Sequence, residues 1–294
     1  MISIADRTPG GMFAGKRPVV LVTGGSRGIG LAIARGFAAR RREVLLVARD
    51  AACLQDAARS IQAEFAVAVE FTSSDLTRPG AVAVLLAGID ASGCYVDTLV
   101  NCAGVAVLGP FLGNDAEAAS NTRTLNIDVA TELMHACLPG MVERGRGGVL
   151  NVASLAGIMP MPYLAVYGAT KSYLIALSRA VATETAGTGV TVSVLLPGAV
   201  DTDFLERNLD ERSMGLLPGL SPEAVAHTAI EGHLAGQRVI TPGMLGLLCR
   251  LGAKFLPYQM LAPFVGRALT GRAAAPAVLT RLHARRGPVR SPIT

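Results

Sequence analysis

The stretch PVVLVTGGSRGIGLAIARGFAARR, residues 18 to 41, decides the fold of this chain. Its first six residues are a short apolar run that is typical of a buried strand. The run enters a turn that contains Gly24, Gly28 and Gly30, and the residues after the turn have helical spacing. Strand, glycine turn and helix in this order form the context of a dinucleotide-binding site. Glycines let the backbone approach a pyrophosphate, and the N-terminus of the helix faces its negative charge.

The rest of the chain repeats the alternation of strands and helices. Helices are predicted at 51–64, at 115–145 and from Tyr167 to about residue 186. Because strands that alternate with helices pair in parallel, the sequence predicts an α/β fold with a doubly wound sheet. The strands are predicted at residues 18–23, 43–48, 66–75, 97–101, 147–154, 190–198 and 238–243.

The composition of the 294 residues suits one large α/β domain. The chain is 51% hydrophobic, and its five cysteines have no CxxC spacing. With no signal sequence recognised in the polar, Gly-rich residues 1–17, these cysteines are expected to be reduced thiols in a cytoplasmic protein. No metal-ligand spacing is found, and His227 and His233 are interpreted as surface or packing residues. The domain boundaries predicted are 1–17 for a flexible leader, 18–242 for the dinucleotide-binding domain, 243–279 for an apolar, basic, helical extension and 280–294 for a basic tail.

The net charge of +5 is unevenly distributed. Glu231 is the last acidic residue, and the 63 residues after it carry nine Arg or Lys. Residues 1–231 therefore hold 18 basic and 22 acidic residues, so the body is mildly acidic and the C-terminal part strongly basic. Such an asymmetry indicates a segment that meets an anionic partner. Nucleic acid is not expected to be that partner, since no nucleic-acid-binding motif accompanies the charge.

The end of the second predicted strand carries the signal for the type of dinucleotide. In this position an acidic residue accepts hydrogen bonds from the ribose hydroxyls of NAD, whereas arginine pairs with the 2′-phosphate of NADP. Arg49 comes first here, Asp50 follows, and Arg27 in the glycine turn offers another cation. The order favours NADP(H) over NAD(H). The alternative is that Arg49 is solvated and Asp50 binds the ribose.

Tyr167 and Lys171 are four residues apart, about one helical turn, so their side chains share a helix face. A phenol titrates near ~10, and a nearby ammonium favours the phenolate and lowers that pKa. Ser154, at the end of the fifth strand, adds a hydroxyl that can orient a carbonyl oxygen. Together these groups can protonate an oxygen that is receiving a hydride. Taken alone, Tyr167 and Lys171 could equally be a helix-surface pair, and the upstream glycine turn favours the catalytic interpretation.

These motifs together resemble the short-chain dehydrogenase/reductase family over roughly residues 18–242. They occur in the family's order: T-G-x-x-x-G-x-G at 23–30, Asp75, N-x-A-G at 101–104, Asn126, Ser154, Tyr167-x-x-x-Lys171, and Pro197-Gly198 with Thr202. The resemblance implies a seven-stranded Rossmann sheet with helices on both faces, commonly assembled into dimers or tetramers. One position departs from the family, because Cys102 stands where a second asparagine is frequent; we expect it to be a buried thiol and not a nucleophile.

The resemblance also implies a role for each matched residue. Tyr167 would be the general acid in reduction, Lys171 would lower its pKa and hold the nicotinamide ribose, Ser154 would bind the substrate oxygen and Asn126 would hold a water of the proton relay. Asp75 would contact the adenine. The cofactor contacts implied are Thr23, Gly24, Ser26, Arg27, Gly28, Ile29, Gly30, Arg49, Asp75, Leu76, Asn101, Ala103, Gly104, Tyr167, Lys171, Pro197, Gly198, Val200 and Thr202.

Two segments are expected to set the substrate. In the family, the segment that matches residues 203–220 is a mobile lid, and its apolar side chains predict an apolar roof: Phe204, Leu205, Met214, Leu216 and Leu217. Met159, Met161, Tyr163 and Leu164 would supply an apolar wall. An apolar substrate is therefore favoured over a sugar-like one, although apolar linings are common in ligand sites generally.

The extension at 243–279 is apolar and basic, with Pro257 and Pro263 predicted to break its helices. Its uncharged runs are too short for a membrane-spanning helix. It could pack on its own domain, cover the substrate pocket, form a dimer interface or lie as a basic amphipathic helix on an anionic membrane. Peripheral association with a membrane is accordingly kept open beside a cytoplasmic location.

The sequence as a whole predicts an NADPH-dependent carbonyl reductase or alcohol dehydrogenase that acts on an apolar, lipid-like or 3-ketoacyl substrate. An NAD-dependent dehydrogenase of secondary alcohols or hydroxysteroids has the same catalytic residues and is the alternative. A non-catalytic dinucleotide sensor is the third interpretation, which the complete set of four catalytic residues disfavours. A homodimer or homotetramer is expected in each case.

Overall fold

The computed structural model describes residues 13–202 and 219–270. Seven strands and nine α-helices follow one another in this part of the chain. The strands are β1 (Arg17–Thr23), β2 (Glu43–Ala48), β3 (Val69–Ser73), β4 (Cys94–Asn101), β5 (Gly147–Val152), β6 (Val190–Leu195) and β7 (Val239–Ile240). The helices are α1 (Gly28–Ala38), α2 (Ala51–Phe65), α3 (Ala81–Ala91), α4 (Ala116–Arg123), α5 (Val129–Glu143), α6 (Ala165–Glu184), α7 (Pro222–Leu234), α8 (Met244–Phe255) and α9 (Tyr258–Thr270).

The seven strands form one parallel sheet in the order β3-β2-β1-β4-β5-β6-β7. This confirms the predicted doubly wound Rossmann sheet. The strand order reverses between β1 and β4, where Thr23 and Asn101 lie side by side at the carboxyl ends. Ligands of open α/β sheets bind in the crevice beyond the strand ends at such a reversal. The topology therefore places the glycine turn after β1 next to the N-x-A-G segment after β4.

Alternate residues of the strands pack on opposite faces of the sheet, as the two-residue period of a strand requires. Val20 and Val22 of β1 pack with α1, α2 and α7, whereas Val19 and Leu21 pack with α3, α5 and the end of α6. Both faces are covered, which explains why the strands consist almost entirely of apolar residues. A third cluster, which includes Leu155 of the loop after β5, lies at the carboxyl edge of the sheet.

The segment predicted as one helix over 115–145 is interrupted. α4 ends at Arg123, a π-helical turn occupies Thr124–Asp128, and α5 begins at Val129. The backbone N–H of Val129 donates to the carbonyl of Thr124, five residues earlier. Single π turns of this kind occur frequently at functional sites. This one contains Asn126, whose side chain is turned inward and buried.

The extension after β7 forms α8 and α9 within the described residues. Pro257 separates the two helices, as predicted, but Pro263 lies inside α9 and does not break it. A proline lacks only its own N–H and disturbs the preceding turn, so a helix can continue past it when the surrounding packing tolerates the lost bond. Across residues 13–202 and 219–270 the structure contains no helix that is both long enough and apolar enough to cross a membrane. Residues 1–12, 203–218 and 271–294 lie outside the described residues; they include most of the lid predicted at 203–220, the end of the extension and the whole tail predicted at 280–294.

Of the two histidines of α7, His233 is buried in the core, and its protonation makes the stability of the fold depend on pH. It is buried, and its Nδ1 lies 3.0 Å from the hydroxyl oxygen of Ser193. Burial lowers the pKa of His233 to about 4. An unfolded histidine binds a proton near pH ~6.5. The contribution of neutral, buried His233 to the free energy of unfolding is therefore fully present above that pH and decreases as the pH falls from about 6.5 towards 4.

We expect acidification from pH 7.5 to pH 5 to lower the free energy of unfolding through His233 by about 2 kcal/mol. Urea denaturation at both pH values measures this loss, and His233→Asn should remove most of its pH dependence. His227→Asn, an exposed position on the same helix, is the matched control and should leave the loss intact. An equal pH dependence in the His233→Asn protein would contradict the assignment.

Candidate active site

The glycines of the turn after β1 leave its backbone uncovered by side chains. Gly24 and Gly28 have φ values of +69° and +55°, which side-chain-bearing residues rarely adopt. A Cβ at Gly30 would overlap the carbonyl oxygen of Gly24, and a Cβ at Gly24 would lie 3.0 Å from the backbone of Ala103. Arg27 precedes the first residue of α1 in extended conformation. The free N-terminus of α1 therefore faces the crevice with no Cβ from these glycines in front of it.

Thr23 joins the two loops that border the crevice. Its hydroxyl oxygen accepts the backbone N–H groups of Cys102 and Ala103, both at 3.1 Å, and donates to the carbonyl of Val100. Asn101, directly opposite on β4, donates to the side-chain oxygen of Asn151 on β5 at 2.9 Å. The carboxamide oxygen of Asn101 is buried and has no partner among the described protein atoms. These bonds fix the N-x-A-G loop against the glycine turn.

Arg27, Arg49 and Asp50 lie at the end of the crevice that would hold the adenosine ribose. Asp50 caps α2: its carboxylate accepts the backbone N–H of Cys53 at 3.0 Å, and this bond lowers its pKa. Arg27 approaches the other oxygen of Asp50 at 3.9 Å. The side chain of Arg49 is exposed. The Asp50 carboxylate, which the alternative assigns to the ribose, therefore already accepts a hydrogen bond from the N-terminus of α2.

Asp75 follows β3 and is held in place by its own neighbour. Its carboxylate accepts the hydroxyl of Thr77 at 2.7 Å and the backbone N–H of Thr77 at 3.1 Å, and these bonds lower the pKa of Asp75. Leu76 is buried in the core. Asp75 is therefore a fixed, ionised acceptor at the edge of the crevice.

Ser154, Tyr167 and Lys171 come together beyond the carboxyl end of β5. The Ser154 hydroxyl lies close enough to the Tyr167 phenol to favour its ionised form. Lys171 is 5% exposed, its Nζ donates to the carbonyl of Val152 at 2.8 Å, and it lies 5.6 Å from the centre of the Tyr167 ring. The predicted pairing of Tyr167 and Lys171 on one face of α6 places both side chains at the edge where Ser154 ends the strand.

Burial dominates the protonation of this cluster in the protein alone. It raises the pKa of Tyr167 to about 12, and the hydrogen bond with Ser154 acts in the opposite direction. Burial also lowers the pKa of Lys171 to about 8. The sequence predicted a lowered pKa for Tyr167, so this part of the prediction is wrong for the protein by itself, because desolvation of the phenolate outweighs the distant ammonium.

Asn126 ties the π turn to the rest of the site. Its side chain accepts the backbone N–H of Val105 at 3.0 Å and donates to the carbonyl of Val105 and to the hydroxyl of Thr170. A Cβ at Gly104 would lie 3.2 Å from the Asn126 oxygen and 3.4 Å from Lys171 Nζ. The structure thus places Asn126 and Lys171 on either side of one glycine.

Cys102 lies half-buried against α1, and burial raises the pKa of its thiol to about 11. A thiol with such a pKa stays protonated near neutral pH and is a poor nucleophile. Packing, and not chemistry, accounts for this position.

The loop after β6 closes the crevice from the other side. The carbonyl of Pro197 accepts the backbone N–H of Leu155 at 3.0 Å, and Val200 pairs with Leu220. The methyl group of Thr202 would meet a Cβ at Gly28 at 3.2 Å, so Thr202 lies over the glycine turn. Gly198 lies exposed between these residues.

The proposed apolar wall adjoins the C-terminal helices. Met159 packs in the same cluster as Leu155 and Cys249 of α8. In α9, Gly266 comes so close to Pro162 and Tyr163 that an added Cβ would lie 3.5 and 3.7 Å from them. The extension therefore packs on the loop between Ser154 and Tyr167. The lid residues Phe204, Leu205, Met214, Leu216 and Leu217 lie outside the described residues.

Three features of the crevice suit a dinucleotide. The N-terminus of α1 has no side-chain cap, the glycines of the turn allow close approach to the backbone, and polar groups lie along both loops. Comparison with known proteins decides the family. The model of the family described as short chain dehydrogenase matches residues 18–213. The chain belongs to this family. Members of the short-chain dehydrogenase/reductase family are NAD(P)-dependent oxidoreductases, so the chain is an oxidoreductase that binds a nicotinamide dinucleotide.

Individual short-chain dehydrogenases resemble the chain over most of its length. Ketoacyl reductase HetN of Nostoc sp. (strain PCC 7120) is 32% identical over 244 residues, which cover 79% of this chain and 83% of that protein. A short-chain dehydrogenase from Sphingobium yanoikuyae, solved in complex with NADPH, is 33% identical with a TM-score of 0.72 over 77% of this chain and 88% of that one. The bulky-bulky ketone specific alcohol dehydrogenase from Comamonas testosteroni is 26% identical with a TM-score of 0.68, covering 78% and 87% of the two chains.

Several residues of the site were missed at the level of sequence. Cys53 and Thr77 fix the two acidic residues at the adenosine end, and Thr170 and Val105 hold Asn126. The first two had a local signal: an aspartate directly before a helix is a preferred N-cap, and an aspartate two residues before a threonine suits an Asx turn. The partners of Asn126 are distant in sequence and had none.

Proposed function

We propose that the protein is an NADPH-dependent carbonyl reductase whose substrate is apolar, either lipid-like or a 3-ketoacyl compound. The observation that carries the proposal is the grouping of Ser154 and Tyr167 beside buried Lys171, at the mouth of the dinucleotide crevice. A bound reduced nicotinamide supplies the hydride to the carbonyl carbon. The protein's own residues then have to orient the carbonyl oxygen and deliver one proton to it.

Ser154 and Tyr167 perform these two tasks. A carbonyl oxygen bound next to Ser154 and Tyr167 would accept a hydrogen bond from each hydroxyl, and negative charge that develops on it would be stabilised. A tyrosine with a high pKa is fully protonated at neutral pH, so Tyr167 begins as the acid that reduction needs. As the carbon gains the hydride, the Tyr167 proton passes to the oxygen and a phenolate remains.

Lys171 and Asn126 restore and position the acid. The ammonium of Lys171 stabilises the phenolate of Tyr167 after transfer, and with the nicotinamide ribose bound it holds a hydroxyl of that sugar. Asn126 keeps Val105 and Thr170 in place and so fixes the loop that contains Gly104. A water bound next to Asn126 would return the proton to Tyr167 through Lys171.

The preference for NADPH rests on the adenosine end of the crevice. The Asp50 carboxylate caps α2 and faces Arg27, so it is engaged where an NAD-selective acid would have to be available. Arg49 is exposed directly after β2, at the position that meets the 2′ substituent of the ribose. A guanidinium there pairs with a phosphate through charge-assisted hydrogen bonds.

Arg49→Glu is expected to weaken NADPH binding by about 10- to 100-fold, since a hydrogen bond to a charged group contributes about 1.5–3 kcal/mol. NADH binding should change by no more than a few fold. Titration of each dinucleotide against the variant measures both constants. Arg59→Glu, an exposed arginine on α2 that pairs with Asp56, is the control. Equal losses for the two dinucleotides would contradict the NADP assignment.

The apolar character of the substrate rests on the wall beside Tyr167. Met159, Met161 and Tyr163 lie in the loop that leads from Ser154 to α6, and all three are partly exposed. Of the relatives described above, one is named for a ketoacyl substrate and one for bulky ketones. The apolar wall supports a large, apolar ketone over a sugar.

The alternative is the NAD-dependent oxidation of secondary alcohols or hydroxysteroids. It is favoured only by the contact of Arg27 with Asp50, because this contact partly neutralises one of the two cations that would bind a 2′-phosphate. A dinucleotide sensor without turnover is disfavoured, because all four catalytic residues meet in one place. Turnover separates an enzyme from a sensor, and the cofactor titration above separates the two enzymes.

The oligomer is proposed to form through α5 and α6. These helices border a groove of about 650 Å³ whose lining is largely apolar and includes Met134, Leu138, Leu177 and Val181. A second copy of the chain would cover this groove symmetrically, since homo-oligomers mostly associate through self-complementary faces. A monomer mass in sedimentation equilibrium would contradict it.

Transfer of a labelled hydride tests the proposed reaction. NADPH that carries deuterium in both C4 positions of the nicotinamide, incubated with a long-chain 3-ketoacyl thioester, should yield an alcohol with deuterium on the former carbonyl carbon. Mass spectrometry of the product detects it. Consumption of NADPH without a labelled alcohol would contradict carbonyl reduction.

A further inference from the structure

Helix α8 presents a row of apolar side chains to solvent. Met244, Leu248, Leu251 and Phe255 are 72%, 58%, 45% and 76% exposed. Their spacing of four, three and four residues places them on one face of the helix. Leu256 and Met260 continue the exposed apolar surface into the turn before α9 and its first residues. We call the four α8 residues the outer row.

The opposite face of α8 is already occupied. Gly246 is buried and lies beside Leu155, Cys249 packs in the cluster at the carboxyl edge of the sheet, and Arg250 donates to the hydroxyl of Thr241 at 3.1 Å. The helix is therefore anchored to its domain by one face. Met244, Leu248 and Leu251 lie outside that inner packing and form a larger apolar surface than scattered exposed residues do, and surfaces of this kind mark interaction sites.

Charge identifies the kind of partner. The 63 residues after Glu231 contain nine Arg or Lys and no acidic residue, and Arg267 of α9 is exposed. A second copy docked through the same surface would bring two basic segments together, at an electrostatic cost. An anionic lipid surface matches both properties, because apolar side chains enter the acyl boundary while Lys and Arg remain at the headgroups.

We propose that the outer row of α8 docks the protein on anionic lipid bilayers, with α8 and the start of α9 lying in the membrane interface. The position of the extension gives this contact a consequence. Through Leu155, Pro162 and Tyr163, α8 and α9 pack on the loop that leads from Ser154 to Tyr167. Docking thus brings the mouth of the candidate active site to the lipid, where an apolar ketone dissolves. This consequence, unlike the docking itself, rests on the proposed function.

Co-sedimentation of the full chain with lipid vesicles tests the docking. Vesicles with 30% phosphatidylglycerol in phosphatidylcholine should pellet the protein, and pure phosphatidylcholine vesicles should do so at least several-fold less. Raising the salt to 0.5 M should weaken binding, because surface charges are screened within a few Å at such ionic strength. No binding to the anionic vesicles overturns the proposal.

Paired variants assign the binding to the outer row. Leu248→Ser with Phe255→Ser should weaken binding to the anionic vesicles by about tenfold or more, as two large apolar side chains no longer enter the lipid. Val84→Ser with Leu234→Ser is the matched control, since these residues are 74% and 58% exposed on other helices. Equal losses in the two double variants would overturn the role of α8.

Other occupants of the outer row give different results. If a second copy covers it, the Leu248→Ser, Phe255→Ser protein changes its sedimentation mass without vesicles; if residues 203–218 cover it, the variant alters KM for a water-soluble ketone. Either result without vesicle binding overturns the proposal. The proposed function fails separately: vesicle binding with no reduction of any ketone leaves the docking intact and refutes the reductase.

Discussion

Tyr167→Phe is expected to lower kcat for carbonyl reduction by about 10²- to 10⁴-fold, the contribution of a positioned general acid. The variant keeps the ring and loses only the phenol hydroxyl that the proposed proton transfer needs. NADPH binding should remain within a few fold of the wild type, because the glycine turn, Thr23 and Arg49 are untouched. Single-turnover reduction and a separate NADPH titration measure the two effects.

Tyr163→Phe is the matched control for this variant. Tyr163 lies one turn earlier, outside α6, and its ring packs near Gly266 of the extension. Its hydroxyl has no part in the proposed proton transfer, so kcat should change by less than tenfold. Full activity of Tyr167→Phe would remove the general acid from the account and favour a sensor or a different acid.

Lys171→Met is expected to lower kcat/KM by about 100-fold or more, in the range found when one preorganised electrostatic group is removed. Methionine has a similar length but cannot stabilise a phenolate or bind the nicotinamide ribose. The carbonyl of Val152, which now accepts from Lys171 Nζ at 2.8 Å, also loses its partner. NADPH should bind more weakly as well, which sets this variant apart from Tyr167→Phe.

The pH dependence of Lys171→Met gives a second readout. Alcohol oxidation requires the Tyr167 phenolate, so its rate rises with pH through the pKa of Tyr167. Burial raises that pKa to about 12 in the protein alone. An ammonium near the phenol favours the phenolate and so is expected to lower the pKa during catalysis. Without the ammonium the increase in rate should move to higher pH. Lys16→Met, at the opposite end of β1, should leave the profile unchanged, and an unshifted profile in Lys171→Met would contradict the role of Lys171.

The fold followed from local patterns that do not depend on distant contacts. Apolar runs, glycines and helical spacing predicted the seven strands in order, and the parallel sheet confirms them. The assembly of the catalytic residues followed from the same rule, because the carboxyl ends of parallel strands meet at one edge. Ser154 follows β5 by two residues and Asn101 ends β4, so their positions in the chain already placed them near the crevice.

What the sequence could not provide depends on tertiary contacts. The π turn at Thr124–Asp128 goes with the buried hydrogen bonds of Asn126 to Val105 and Thr170, 21 and 44 residues away. The raised pKa of Tyr167 is set by desolvation, which a spacing of four residues does not reveal. The extension had four interpretations because α8 is apolar on two faces, and only its packing on Leu155 distinguishes the inner face from the outer row.

The measurement that tests the account most directly is the consumption of NADPH, beside NADH, across a panel of carbonyl compounds. The panel contains medium- and long-chain 3-ketoacyl thioesters, steroid ketones, aromatic ketones, quinones and sugar ketones. The account predicts turnover of the large apolar ketones with NADPH and much slower turnover with NADH. Turnover only of small polar ketones, or only with NADH, would contradict the proposed substrate and cofactor preference.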